Sequence, residues 1–121
     1  DGMQKVLDQK GYSYDIQDPW DDLFHKVFLN DVEPFLGKGT LTILKDYPKQ
    51  LAALSVIKQG DPHYAERFEA YLCGMELCNG FTELTDSHEQ RTRLEDEKAL
   101  RENFYGSCYD IDESFLSSLA S

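Results

Sequence analysis

No apolar run in the chain approaches the ~20 residues that a membrane-spanning helix needs, and no signal peptide is recognisable. No internal repeat or low-complexity tract is present, which excludes solenoid and fibrous architectures. Cysteine is scarce, with three (Cys73, Cys78 and Cys108) in 121 residues. An odd count without a secretory signal implies reduced thiols and a cytoplasmic setting. Zinc wants four ligands; Cys73 and Cys78 bring two, and His25, His63 and His88 are scattered. No His neighbours a Cys in sequence, so a cysteine nucleophile has no visible base. Positive charge is also short: 12 Lys and Arg against 23 Asp and Glu leave a formal net charge of −11. Such a chain repels phosphate backbones, which argues against nucleic-acid binding. Gly37-Lys38-Gly39 lacks the spacing of a phosphate loop, and no Ser or Thr directly follows its Lys, so it reads as a turn.

What is present is ordinary globular content, 40% hydrophobic and 29% charged residues, in one domain or part of one with room for a modest core. Met3 to Lys10 suit a short helix stopped by Gly11. Asp18-Pro19-Trp20-Asp21-Asp22 is a helix start: Asp18 as the cap, Pro19 at the first position, aspartates at the positive end of the dipole. Leu23, Phe24, Val27 and Phe28 recur at helical spacing, and the helix should end near Asn30 to Glu33, before Pro34. Thr40 to Leu44 predict a strand, ended by Tyr47-Pro48. Lys49 to Gln59 predict a short helix or turn, and Gly60-Asp61-Pro62 a loop. Thr85 or Asp86 opens a charged helix to about Asn103, whose exposed face could dock a protein partner but is more simply a solvated surface. Asp110 to Glu113 open a last helix carrying Phe115, Leu116 and Leu119.

The stretch from Arg67 to Leu84 predicts a β-hairpin turning at Gly74, the residue that tolerates positive φ. Phe68, Ala70 and Leu72 belong to one face of its first strand, and Arg67, Glu69 and Tyr71 to the other. The second strand spends Glu76, Asn79 and Glu83 on a sheet, where Glu and Asn are poor formers. Glutamates on an antiparallel strand usually face solvent and do nothing more. However, Asn79, Phe81 and Glu83 share parity, and an amide, an aromatic ring and a carboxylate on one face suit an ammonium group. Glu76 has the opposite parity and joins them only if the strand breaks phase, for which a bulge at Asn79-Gly80 is predicted. Arg67 has the chemistry of a phosphate ligand.

Gly-Met-Glu-Leu-Cys-Asn-Gly-Phe-Thr-Glu-Leu, residues 74 to 84, resembles the catalytic sheet of class II lysyl-tRNA synthetases, and more closely their truncated paralogues, the elongation factor P–lysine ligases. The resemblance extends through Tyr47-Pro48, Gln50, Leu54, Ala65 to Glu69, Thr85-Asp86 and Glu89-Gln90. Gln50 and Ala53 favour the paralogue, since synthetases tend to have Glu and Pro there. The resemblance implies an α+β fold, an antiparallel sheet with flanking helices, as a partial class II synthetase-like catalytic domain. It places residues 1–121 between the second and third class motifs, whose phosphate-gripping arginines are not seen here, so the piece alone should be inactive.

By the same resemblance, Glu76 and Leu77 bind ATP, and Glu76 and Glu83 approach Mg²⁺. Glu83, Asn79 and Phe81 line the lysine pocket, whereas Arg67 belongs to the strand lead-in. The implied activity is ATP-dependent activation of lysine or β-lysine as an adenylate and transfer to a lysine of elongation factor P, by a parent expected to be a homodimer. Alternatives are a fragment of a true lysyl-tRNA synthetase and a non-catalytic acidic binding module of the same fold. Cys78 stands where the family has Gly or Ala and should crowd the opposite face of the sheet.

Overall fold

Cys73 and Gly74 both take left-handed backbone, with φ of 54° and 74°. A two-residue loop with both residues at positive φ matches the right-handed twist of the strands it joins. It closes a hairpin of β2 (Tyr64–Leu72) and β3 (Met75–Phe81). The chain before it forms β1 (Thr42–Pro48), and the three strands make an antiparallel sheet in the order β1-β2-β3. The computed structural model describes residues 2–120.

The loop is locked from outside as well. Cys73 N donates to Gly37 O at 2.8 Å and Gly74 N to Leu36 O at 3.0 Å. Gly37 has φ +70°, and a Cβ there would lie 2.5 Å from Leu72 Cα. Only glycine permits this approach. The Gly37-Lys38-Gly39 turn therefore serves to seat the hairpin tip.

Among the described residues four α-helices flank the sheet: α1 (Gly2–Lys10), α2 (Trp20–Val27), α3 (Ser87–Tyr105) and α4 (Glu113–Leu119). The expected α+β arrangement is the one observed. In the N-terminal pair, Leu7 and Leu23 are fully buried, and Trp20, Phe24 and Phe28 stack in succession with centroids 5.3 and 5.5 Å apart. The helix continues as a π-turn over Phe28–Val32 and a 3₁₀ turn over Glu33–Phe35, giving out where Pro34 removes a donor. Asp86 caps α3 by accepting from His88 N at 2.9 Å and Glu89 N at 3.0 Å, and Asp112 caps α4 in the same way. Arg91 on α3 pairs with Glu113 on α4 through both of its terminal nitrogens.

Several expectations need correction. Asp18 does not cap α2. Pro19 occupies that position, and the Asp18 carboxylate accepts from Lys26 Nζ at 2.8 Å instead. Tyr47-Pro48 does not end β1 but belongs to it: the register shifts at Asp46 (φ 60°), where Glu66 and Arg67 of β2 face that single residue, and the pairing then carries on to Tyr47↔Ala65. Helix α3 runs two residues past Asn103, to a left-handed Gly106. Cys78 crowds nothing, because it is exposed.

Candidate active site

The phase break in β3 exists, but not at Asn79-Gly80. From Arg67↔Phe81 to Ala70↔Cys78 the register is regular; beyond it Tyr71 pairs with Glu76, leaving Leu77 as the extra residue. The bulge is therefore at Leu77. Gly80 is needed for another reason: a Cβ there would lie 2.7 Å from the Phe68 ring opposite it.

The bulge changes which side chains meet. Directly opposed residues project from the same face of a sheet. Phe81 opposes Arg67, Asn79 opposes Glu69, and Glu76 opposes Tyr71. Glu76 thus joins Asn79 and Phe81 on one face, and Asn79 Nδ2 donates to Glu76 Oε1 at 3.0 Å. Both residues are exposed, as is Leu77. Beyond β3 the chain stays extended: Glu83 bridges Ser55, with Val56 N on Thr82 O at 2.9 Å and Leu84 N on Leu54 O at 2.8 Å on either side of it. Glu83 is exposed while Leu84 beside it is buried. The structure thus brings Glu76, Asn79 and Phe81 onto one face and holds Glu83 further along the same extended segment.

The part that sequence reasoning missed lies next to it. Glu69 is only 6% exposed, although it carries a charge. Its Oε1 accepts from Arg67 Nη2 at 2.7 Å and its Oε2 from the Tyr71 hydroxyl at 2.5 Å. Arg67 also donates through Nη1 to Leu51 O at 2.9 Å and lies over the Tyr47 ring, 4.8 Å from its centroid. The arginine is thereby spent on the interior, and this argues against Arg67 as a phosphate ligand. Burial pushes the Glu69 carboxyl up, but Tyr47, Tyr71 and Arg67 together outweigh it and hold the group below the usual 4.5. Burial first, and the Glu69 charge second, push the phenols of Tyr47 and Tyr71 well above the usual 10. The parity that placed Arg67, Glu69 and Tyr71 together was the available signal. The side on which the core lies was not visible, since a buried face is seldom this polar.

Among the described residues no group of three or more His, Cys, Asp or Glu side chains is arranged to hold a metal ion. A hard cation at Glu76 or Glu83 would complete its shell with substrate oxygens. The exposed carboxylates suit Mg²⁺, which commonly keeps one or two carboxylates beside phosphates and water. No helix among the described residues is long and apolar enough to cross a membrane.

Residues 33–118 match the family model of class II tRNA synthetases (D, K and N). Among curated proteins, the chain is 37% identical over 116 residues to an elongation factor P–(R)-beta-lysine ligase homolog of Aquifex aeolicus, covering 96% of this chain and 36% of that protein. It is 40% identical over 110 residues to the elongation factor P–(R)-beta-lysine ligase of Sodalis glossinidius, covering 91% and 34%. With that of Avibacterium paragallinarum it shares 42% over 99 residues, covering 82% and 31%. The chain thus spans about a third of the length of the curated relatives it matches.

Proposed function

From the premise that this chain belongs to the class II tRNA synthetases of the D, K and N type, we propose that the whole protein carrying it is an ATP-dependent ligase. It activates lysine or β-lysine as an adenylate and transfers it to a lysine of elongation factor P. The observation that carries this reading is the bulge at Leu77, which turns Glu76 onto the face of Asn79 and Phe81. The relatives named as elongation factor P–(R)-beta-lysine ligases support the same chemistry.

The residues take distinct parts. Glu83, with Asn79 and the Phe81 ring, receives the substrate ammonium by charge, hydrogen bond and cation–π contact. Glu76 would hold Mg²⁺ for the ATP phosphates, with Leu77 lining the nucleotide site, and Glu83 would be a second carboxylate available to the metal. Mg²⁺ supplies positive charge that lets a carboxylate approach a phosphate. Asn79 holds the Glu76 carboxylate in one orientation, which restrains an otherwise mobile exposed side chain. The net charge of −11 favours a protein acceptor over tRNA for this part of the molecule.

The test is calorimetric titration of the intact protein with L-lysine and (R)-β-lysine, in the native form and as Glu83→Gln. Removing a charge-assisted bond should weaken binding by about 10- to 100-fold. Unchanged binding refutes the reading. Incubation with ATP and each acceptor then distinguishes the ligase from a synthetase: label on elongation factor P supports the proposal, and label on tRNA alone overturns it.

A further inference from the structure

We propose that Arg93 is a positioning residue for Glu83, acting through the backbone of residues 53–55; this rests on the reading of Glu83 as the amine-binding carboxylate. Arg93 lies two turns into α3, where it reaches back to residues 53–55 while Arg91 pairs with Glu113 of α4. Its Nη1 donates to two carbonyls at once, Ala53 O at 2.9 Å and Ser55 O at 2.8 Å. Its Nη2 is paired with Glu89, one turn earlier, so the plane of the guanidinium is fixed from both sides. Only 22% of the Arg93 side chain is exposed.

The segment it grips is the one that holds Glu83. Leu54 O accepts from Leu84 N, and Val56 N donates to Thr82 O, so the backbone bonds on either side of Glu83 both go to residues flanking Ser55. Ser55 is fully buried, with its hydroxyl on Ala52 O at 2.5 Å. Ala53 sits at φ 48°, a conformation an alanine adopts only when its surroundings impose it. Arg93 bonds the carbonyl of Ala53 itself and that of Ser55 beyond it, and Arg67 bonds that of Leu51 before it. The two arginines therefore clasp a strained five-residue segment, one from the sheet and one from α3. Asp86 aims the helix by capping it three residues after Glu83. The chain thus runs from Glu83 into a helix whose own arginine returns to fix the strand pairing of Glu83.

A lysine at position 93 keeps a cation but not the planar fork that serves two carbonyls and Glu89 together. The experiment is ATP–pyrophosphate exchange by the intact protein with L-lysine and (R)-β-lysine, as native, Arg93→Ala, Arg93→Lys, Glu83→Gln and the Arg93→Ala/Glu83→Gln double variant. A displaced carboxylate should raise the KM for the amine about ten-fold or more in Arg93→Ala, with that for ATP within about two-fold, and Arg93→Lys intermediate. In the Glu83→Gln background Arg93→Ala should add nothing, because its route to the substrate has been removed. A purely structural arginine would move both KM values together or add to Glu83→Gln, and either result overturns the proposal. If Arg93→Ala fails to fold, the ratio of KM values in Arg93→Lys decides. An unchanged amine KM in Glu83→Gln would instead sink the reading of Glu83 itself, and the positioning role with it.

Discussion

Tyr47 and Tyr71 flank one buried carboxylate, and removing their hydroxyls should have unequal consequences. The Tyr71 hydroxyl donates to Glu69 Oε2 at 2.5 Å, with the two residues 1% and 6% exposed. A hydrogen bond to a charged group of this kind contributes about 1.5–3 kcal/mol. At about 4 °C per kcal/mol for a chain of this size, Tyr71→Phe should lower the melting temperature by about 6–12 °C. The Tyr47 hydroxyl lies near enough to Glu69 for their titrations to be linked, yet it is buried without a formed hydrogen bond. Tyr47→Phe removes a polar atom that is already unpaired and keeps the ring beneath Arg67, so its effect should stay within about 0.5 kcal/mol. Thermal and urea unfolding at pH 7 measure both. Equal losses, or a larger loss for Tyr47→Phe, would refute the account of how Glu69 is satisfied. A pH series adds an independent check. The folded pKa of Glu69 lies below its ordinary 4.5, so its contribution is complete above that value and is lost as the pH falls through the folded one. The penalty of Tyr71→Phe should shrink over the same acid range, as the carboxylate loses its charge.

Two further substitutions probe the supports of the site. Gly37→Ala forces a Cβ against Leu72 at a positive φ and should destabilise by about 3 kcal/mol, read as a lowered denaturation midpoint. Asp86→Ala removes the cap of α3 and should cost about 1 kcal/mol, read by circular dichroism on melting.

How far the fold could be read from the residues depended on whether the signal was local. Gly74, the cap at Thr85 or Asp86 and the Leu23-to-Phe28 spacing report conformations set by their immediate neighbours, and the turn, the cap (at Asp86) and the helix were found there. Position 77 was harder. A bulge needs a mismatch between two strands, and nothing in the side chain of Leu77 distinguishes it from a regular strand residue. Gly80 looked the better place because glycine is common at bulges, but its smallness serves the Phe68 ring. The buried role of Glu69 was hidden because its hydrogen bonds come from Arg67 and Tyr71, side chains that on an antiparallel strand read first as members of a solvated face. Asp18 lost its expected task to a lysine eight residues on, a tertiary competitor that capping rules do not include. The pocket assignments for Glu76, Leu77, Asn79, Phe81 and Glu83 came from a family pattern of eleven residues and remain as proposed above. The family itself is the one that pattern indicated.

The odd residue in β3 also governs how that segment can vary in length. Side chains of an extended chain alternate up and down, so a count of steps decides which acid looks which way. Between Glu76 and Asn79 there are two intervening residues, and the sheet absorbs one of them at Leu77. Deleting Leu77 would restore strict alternation without the kink and leave the count between the two residues compatible with a flat ribbon. Inserting a residue anywhere from 78 to 80 would instead turn Glu76 away from Phe81 and Glu83 while every amino acid of the motif remained present. Point substitution is the milder hazard for this ribbon, and the insertion of one residue the more severe.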